Sequence, residues 1–316
     1  MTRDQNDNGD GWWEKKAHEC HRGCQHTARG ITKRTTDRKI LQHLKFILAI
    51  VAVQMSQMPQ MPQMPQNTED PGPPAEAGKN PAGLAPADSK INHAASINYW
   101  SSLDSTSSNM LGMLGTYPWY SRIELQGSKN FLTKVRRLLP ALPPNGKFPR
   151  GVDCGAGVGR VTDGFLRHVC DVVDAVEPVA KFTQVLQDGK LKEAGIVGDI
   201  YTVGLERWVP PKKYDLVWIQ WCVGHLTDSQ LIECITQCRS ALTESGLVVV
   251  KENLSTDLDD QDMYDDLDSS VTRTDAKFRH IFAAAGMDVI KAEIQTGFPK
   301  QFKLLPVKSY ALRPRI

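Results

Sequence analysis

Apolar and polar positions divide the chain near residue 90. Beyond that point, short apolar runs alternate with stretches whose apolar residues recur every three to four positions. The runs predict strands at Gly151–Cys154, Val172–Glu177, Asp199–Val203, Asp215–Ile219, Leu247–Glu252, Asp288–Ile294 and Val307–Leu312. The longer periods predict helices around Ile91–Trp100, Ser128–Leu139 and Asp228–Leu242. Strands alternating with helices imply a parallel sheet with right-handed crossovers. Thr227-Asp228-Ser229-Gln230 is a capping box opening the third helix. Ser245-Gly246 is expected to end that element before Leu247–Val250. Asn109–Gly115 is expected to be a flexible apolar loop. The last two strands are expected to form a hairpin-like pair at the sheet end, the final one inserted antiparallel.

Residues 1–90 are of different material. A Met-Pro-Gln repeat runs from Met55 to Gln66, and Pro71–Pro86 is rich in Pro, Ala and Gly. Such composition buries too little apolar surface to fold, so a disordered arm is expected ahead of a domain spanning 91–316. The apolar run Phe46–Val53 is too short to span a bilayer and too far from Met1 for an ordinary signal peptide. It reads as a transient helix or a weak docking motif, and no membrane partner is expected. Cys20 and Cys24 lie near His18, His21 and His26, but the spacing matches no common structural zinc site, so no metal is expected.

Charge and cysteine usage narrow the class further. The chain of 316 residues is long enough for one large domain or two small ones. It carries 38 Lys and Arg against 36 Asp and Glu, and the excess lies in residues 1–90. The balanced remainder has no basic footprint for nucleic acid. Cysteines number 7 and are scattered without framework spacing. That fits a reduced intracellular compartment: the cytoplasm, with the nucleus as a second location.

The chemistry concentrates at the predicted strand ends. Asp153-Cys154-Gly155-Ala156-Gly157-Val158-Gly159-Arg160 places glycines at alternate positions between a strand and a helix. Glycine permits a tight turn and close approach of a ligand to the main chain. A lone glycine turn is also common as bare structure. Here Glu177 ends the next strand, where an acid suits the hydroxyls of an adenosine ribose. The spacing is G-x-G-x-G rather than the G-x-G-x-x-G of dinucleotide sites, and an acid stands two residues before the first glycine. That is the pattern of S-adenosylmethionine-dependent methyltransferases. The fourth strand emerges as Gln220-Trp221-Cys222-Val223-Gly224-His225, and the fifth as Lys251-Glu252-Asn253. Asp257–Asp268 follows, rich in aspartate and without a basic residue. Acidic runs are usually solvated surface. This one directly follows a strand end on the ligand face, and is expected to form a cation-binding wall.

Four motifs together resemble the protein α-N-terminal methyltransferases. They are Gly112-Met113-Leu114-Gly115, the Asp153–Arg160 loop, Trp218-Ile219-Gln220-Trp221-Cys222-Val223-Gly224-His225-Leu226-Thr227-Asp228, and Asp265-Asp266-Leu267-Asp268-Ser269-Ser270. The resemblance covers roughly residues 97–313. It implies an α/β, seven-stranded Rossmann-like methyltransferase fold with an N-terminal helical extension. It also implies S-adenosylmethionine as cofactor, and methylation of the free α-amine of proteins beginning X-Pro-Lys or X-Pro-Arg after methionine removal. Ribosomal proteins would be among the partners, and the enzyme would act as a monomer.

Carried over by motif, the resemblance assigns Gly155 to the cofactor loop and Arg160 to the methionyl carboxylate. Glu177 goes to the ribose, Pro178, Val179, Leu205 and Glu206 to the adenine, and Gln220 to the sulfonium end. It assigns Trp100, Leu114, Gly115, Trp221, Asp265 and Ser270 to the peptide. His225, Asn253 and Asp268 go to the reacting amine, with Asp268 as general base, His225 as helper and Asn253 orienting the amine through its side-chain oxygen. Only a neutral amine can attack a methyl sulfonium, and an α-amine has a pKa of about 7.7–8.0. A carboxylate that takes its proton is therefore the natural catalyst.

The chain departs from the family in four places. Glu177 stands where the ribose-binding acid is an aspartate, and both acids can accept two hydroxyl hydrogen bonds. Glu206 stands where a glutamine is usual. Leu305-Pro306-Val307-Lys308-Ser309-Tyr310 lacks the family's groove tyrosine, for which Phe302 is the nearest replacement. Trp119 and Tyr120 replace smaller residues and imply a narrower groove, which leaves the degree of methylation open. A class I methyltransferase acting on another protein or a small molecule, and a non-catalytic peptide-binding module, are the alternative readings. The first leaves the aspartate wall unexplained, and the second leaves His225, Asn253 and Asp268 unexplained.

Overall fold

The computed structural model describes residues 85–139 and 146–315. The expectations for the Met-Pro-Gln repeat, Phe46–Val53 and the Cys20–Cys24 cluster lie outside these residues. Helices α1 (His93–Ser102) and α2 (Pro118–Leu138) precede strands β1 (Phe148–Cys154) and β2 (Cys170–Val176). Helix α3 (Ala180–Gln187), β3 (Val197–Tyr201), β4 (Tyr214–Gln220), α4 (Asp228–Ser240) and β5 (Leu242–Asn253) follow. The chain closes with β6 (Met263–Asp265), β7 (Ser270–Thr272), α5 (Asp275–Ala284), β8 (Met287–Ile294) and β9 (Val307–Pro314).

The main sheet has the order β3-β2-β1-β4-β5-β9-β8. Strands β1 to β5 pair in parallel, and β9 runs antiparallel between β5 and β8. This is the predicted seven-stranded Rossmann-like sheet with its terminal antiparallel insertion. The chain reverses direction along the sheet between β1 and β4. The carboxyl ends flanking that switch carry the glycine loop and the Gln220–His225 segment, as ligand sites on such sheets require.

Several elements differ from their predicted bounds. Helix α2 begins at Pro118, ten residues before its predicted start. Its buried stripe is Tyr120, Glu124, Ser128, Phe131, Leu132 and Val135, so two core positions are polar and the apolar period is broken. Lys251 makes those positions buriable: its ammonium, fully buried on β5, donates to Glu124 Oε1 (2.6 Å) and Ser128 Oγ (2.9 Å). Asn109–Thr116 is 3-10 helical rather than a loop, broken at Gly112 where φ is 55°. The capping box at Thr227 is present as predicted. Helix α4, however, ends at Ser240, and β5 starts before Ser245-Gly246, with a register irregularity there. The small antiparallel pair β6–β7 within the acidic region was not predicted, because Met-Tyr-Asp and Ser-Val-Thr are too short and polar to register as strands.

The turn Ala87–Lys90 precedes α1, and Asp88 Oδ2 accepts the Asp228 N–H at the start of α4 (2.8 Å). Asn92 caps α1 through the Ala95 N–H, and its own N–H donates to Ser269 Oγ (2.7 Å). The helical extension is thereby fixed over the carboxyl ends of the sheet. No helix among the described residues is long and apolar enough to cross a membrane.

Candidate active site

The eight residues assigned to the cofactor line one cavity: Gly155, Arg160, Glu177, Pro178, Val179, Leu205, Glu206 and Gln220. Gly155 has φ 72°, and a Cβ there would lie 2.6 Å from Cys222 Cβ. The Gly155 and Ala156 N–H groups both donate to Val176 O, which folds the loop back onto β2. Glu177 accepts the Gly157 N–H (2.9 Å) and the Val179 N–H (2.8 Å), one on each oxygen. A carboxyl so engaged still has lone pairs for a ribose diol. Burial pushes its pKa up to about 7 against the pull of those two amides.

Arg160 is held before any ligand arrives. Its guanidinium pairs with Glu124 (2.5 Å) and lies 5.6 Å from the Trp221 ring. Glu124 also pairs with Lys251 (2.6 Å). Burial pushes the Glu124 carboxyl up, but the two cations outweigh it and hold the group below its ordinary value. This buried triad ties α2 to the cofactor loop and to β5. Removing one member of a buried ionic network leaves an uncompensated charge, at a cost of about 3–5 kcal/mol. Lys251→Met is therefore expected to lower the midpoint of thermal unfolding by roughly 10 °C, at about 2–4 °C per kcal/mol for a domain of this size. Differential scanning calorimetry measures this, and an unchanged midpoint would show the triad to be neutral.

The donor set fits S-adenosylmethionine. Gln220 Oε1 accepts the Trp218 indole N–H, while its buried Nε2 has no protein partner and is free to donate to a ligand. Glu177 supplies the ribose acceptor, Arg160 a cation for a carboxylate, and Val179, Phe182 and Leu205 an apolar slot for a purine. Glu206 pairs with Arg207 (3.1 Å). Helix α1 adds His93, Ser96 and Ile97 to the wall, which the sequence reading missed because nothing in that short helix marks which face is covered.

A groove adjoins the cavity and shares Trp100, Met110, Trp221 and His225 with it. Leu114, Asn253, Asp268 and Ser270 line it as expected. Gly115 and Asp265 do not. A Cβ on Gly115 would overlap the Ser108 backbone, so this glycine closes its own turn rather than covering a peptide. Asp265 pairs in register with Ser270, is exposed, and gives an oxygen to the Leu267 N–H (2.9 Å). Phe302 packs outside the groove on Tyr117 and Trp119, while Leu304 and Leu305 line it. The aromatic wall comes instead from α2: Tyr120 stacks on Trp221 (6.2 Å, 15°) and on Phe298 (4.9 Å, 22°).

Trp221 itself has φ 54°, a left-handed conformation that costs a non-glycine residue on the order of 1–3 kcal/mol. It is held by its N–H to Lys251 O (3.1 Å), its indole N–H to Asn253 Oδ1 (3.2 Å) and the Tyr120 stack. The Asn253 oxygen proposed to orient the amine is thus already accepting one hydrogen bond. His225 has both nitrogens engaged. Trp100 Nε1 can only donate, so His225 Nε2 (3.2 Å) is its acceptor and is unprotonated. Nδ1 then carries the proton and donates to Ser96 Oγ (3.0 Å). Burial pushes the His225 pKa down, which keeps this neutral form. The buried Arg273 fixes the turn by donating to Val223 O (3.1 Å) and Leu226 O (2.5 Å) while pairing with Asp228 (2.8 Å). Asp268 Oδ1 accepts the Ser270 hydroxyl (2.6 Å).

Comparison with known proteins agrees with this geometry. Residues 88–313 match the profile of the family described as AdoMet dependent proline di-methyltransferase. A Schizosaccharomyces pombe relative named alpha N-terminal protein methyltransferase 1 is 38% identical over 225 residues, covering 70% of this chain and 96% of the relative. The Xenopus laevis N-terminal Xaa-Pro-Lys N-methyltransferase 1-A is 34% identical over 221 residues, covering 68% and 92%. A SAM-dependent methyltransferase structure from Leishmania major superposes with a TM-score of 0.59 at 32% identity, over 70% of this chain and 82% of the other. The chain belongs to the AdoMet dependent proline di-methyltransferase family and is an S-adenosylmethionine-dependent methyltransferase.

Proposed function

We propose that the protein methylates the free α-amine of proteins beginning Xaa-Pro-Lys or Xaa-Pro-Arg, with S-adenosylmethionine as methyl donor. The observation that carries this reading is the continuity of the two cavities. Trp100, Trp221 and His225 wall both the cofactor cavity and the groove that holds Asn253 and Asp268. A peptide amine at that junction faces the donor from one side and a carboxylate from the other. The relatives named for Xaa-Pro-Lys methylation support the choice of peptide.

S-adenosylmethionine supplies an activated methyl group, and the protein's own residues prepare the nucleophile. Asp268 accepts the proton of the substrate ammonium. Its Oδ1 is fixed by Ser270, leaving Oδ2 for the amine. His225 acts as a positioning residue for Trp100. Trp221 and Tyr120 form an apolar, π-rich wall for the proline and for a cationic nitrogen. Positioning of the two reactants supplies much of the rate. In the cell the enzyme acts as a monomer in the cytoplasm and nucleus, with ribosomal proteins among its substrates.

Mass spectrometry of Ala-Pro-Lys, Ser-Pro-Lys and Pro-Pro-Lys peptides incubated with protein and cofactor tests the reading. Gains of 14 mass units at the free amine are expected, none after amine acetylation. Absence of methylation on all three peptides, with cofactor bound, overturns it.

Asp265 reads the third side chain from the groove mouth in this scheme. Its carboxylate is solvent-exposed and screened, so the expected contribution is about 1 kcal/mol. Asp265→Asn is expected to raise KM for an Xaa-Pro-Lys peptide about fivefold with kcat unchanged. Steady-state kinetics that instead lower kcat would place Asp265 in the chemistry.

A further inference from the structure

Glu252 is a buried carboxyl that the mechanism above does not use. It is the penultimate residue of β5, before Asn253, is 7% exposed, and lines the groove together with Trp221, His225 and Asp268. Its Oε1 accepts the Asn253 N–H (2.9 Å) and the Val223 N–H also bears on the carboxyl, while Oε2, also buried, has no partner in good hydrogen-bond geometry. A buried acceptor without a donor costs on the order of 1–3 kcal/mol, so such a group in a binding groove calls for a ligand. The natural donor is cationic. The second residue of an Xaa-Pro substrate has no N–H, which leaves the α-amine as the hydrogen-bond donor at the reacting end.

Position supports the amine over the third side chain. Glu252 interacts electrostatically with Cys222, which lines the cofactor cavity, and with Asp268, which lines the groove. Trp221 and His225, which line the groove with it, also wall the cofactor cavity, so Glu252 lies on the groove side of the junction of the two. We propose that Glu252 is a substrate-binding residue of this groove, whose carboxyl takes the charge and hydrogen bond of the substrate α-ammonium and works with Asp268 as the acceptor pair for its proton. This rests on the N-terminal methylation reading.

The step balances. The ammonium passes one proton to a carboxylate of the pair, giving a carboxylic acid and a neutral amine. The amine lone pair forms the N–C bond as the C–S bond breaks, and sulfur keeps that electron pair. The nitrogen is again cationic, and the carboxylic acid releases its proton to water through the groove mouth.

Charge supports the pairing. Burial pushes Glu252 up to about 7, and the Asp268 carboxylate adds to this. The Asn253 N–H, Arg273 and the Val223 N–H pull the other way, and Cys222 is a half-buried thiol pushed upward and neutral. On β9 the cross-strand neighbour Lys308 spends its ammonium on Asp275 (2.8 Å). His225 is neutral. A cation docking in the groove thus meets a carboxyl about half protonated near pH 7, and drives its proton off.

Calorimetry tests this on the intact protein loaded with S-adenosylhomocysteine. The ligand is dimethylprolyl-Pro-Lys peptide, whose quaternary nitrogen has no proton of its own. Binding heats in two buffers of different ionisation enthalpy give the protons released. Near pH 7 the wild type should release about half a proton, with the release centred near pH 7. Glu252→Gln should release almost none, and should lower turnover of the unmethylated peptide on the order of 10²-fold. Glu252→Asp, which keeps a carboxyl, should restore part of both. Equal release from wild type and Glu252→Gln overturns the proposal, as does a wild type that releases no proton between about pH 6 and 8.5. The wild-type measurement alone decides the matter if Glu252→Gln does not fold. Failure of the methylation reading is distinct: the wild type would then modify no Xaa-Pro-Lys peptide at all.

Discussion

Gly155→Asp is expected to abolish binding of both S-adenosylmethionine and S-adenosylhomocysteine while leaving the fold assembled. Gly155 sits at φ 72°, where an L-residue is strained, and its Cβ would meet Cys222 at 2.6 Å. The new carboxylate would also stand in a cavity that already holds Glu177, whose pKa burial has raised to about 7. A second acid there repels the ribose-binding carboxylate and the cofactor's own carboxylate. Calorimetric titration should show at least a hundredfold weaker binding, or about 2.8 kcal/mol at 1.4 kcal/mol per decade. Circular dichroism should retain the native spectrum, because the loop lies at the carboxyl edge of the sheet, outside its core. Normal cofactor affinity in this variant would mean that the cavity described here is not the methyl-donor site.

The site was legible wherever chemistry and local backbone need coincide. The glycine loop, Glu177 at the tip of β2 and the Thr227 capping box each announce themselves within a few residues, and the structure places each at the carboxyl edge of the sheet. The central strands β4 and β5 were legible because a parallel sheet buried on both faces demands continuous apolar runs. The missed parts depend on contacts between distant segments. Glu124 and Ser128 break the apolar stripe of α2 and look like surface until Lys251 is placed against them. Tyr120 looked like an obstruction to the groove. In three dimensions it is the ring against which Trp221 stacks, and it stands in for the aromatic residue that Leu305 does not provide. Gly115 and Asp265 were assigned through their motifs, but a motif does not say which of its members line the groove, which lie at its mouth and which close a turn. Glu252 was overlooked between Lys251 and Asn253, since one carboxylate at a strand end carries no signal until its burial and its unpaired oxygen are known.

Asp268→Asn is expected to lower turnover by about 10²–10⁴-fold at pH 7, the usual cost of losing a general base. The substitution is nearly isosteric, and an amide oxygen can still accept the Ser270 hydroxyl that now donates to Oδ1 at 2.6 Å. The turn and the groove should therefore survive, and KM should change little. What the amide cannot do is take a proton. The substrate amine titrates at about 7.7–8.0, so at pH 7 only roughly a tenth to a fifth of it is neutral in solution. The sign of the pH dependence follows. As pH rises through that range, solvent deprotonates the peptide before it binds and the missing base matters less. The ratio of wild-type to variant kcat should fall steadily between about pH 7 and pH 9.5. A positioning role predicts something else: a misplaced amine reacts slowly whether or not it arrives neutral, so the ratio would stay constant. Rates on an Xaa-Pro-Lys peptide across this range separate the two, and a flat ratio would reassign Asp268 from proton acceptor to substrate anchor.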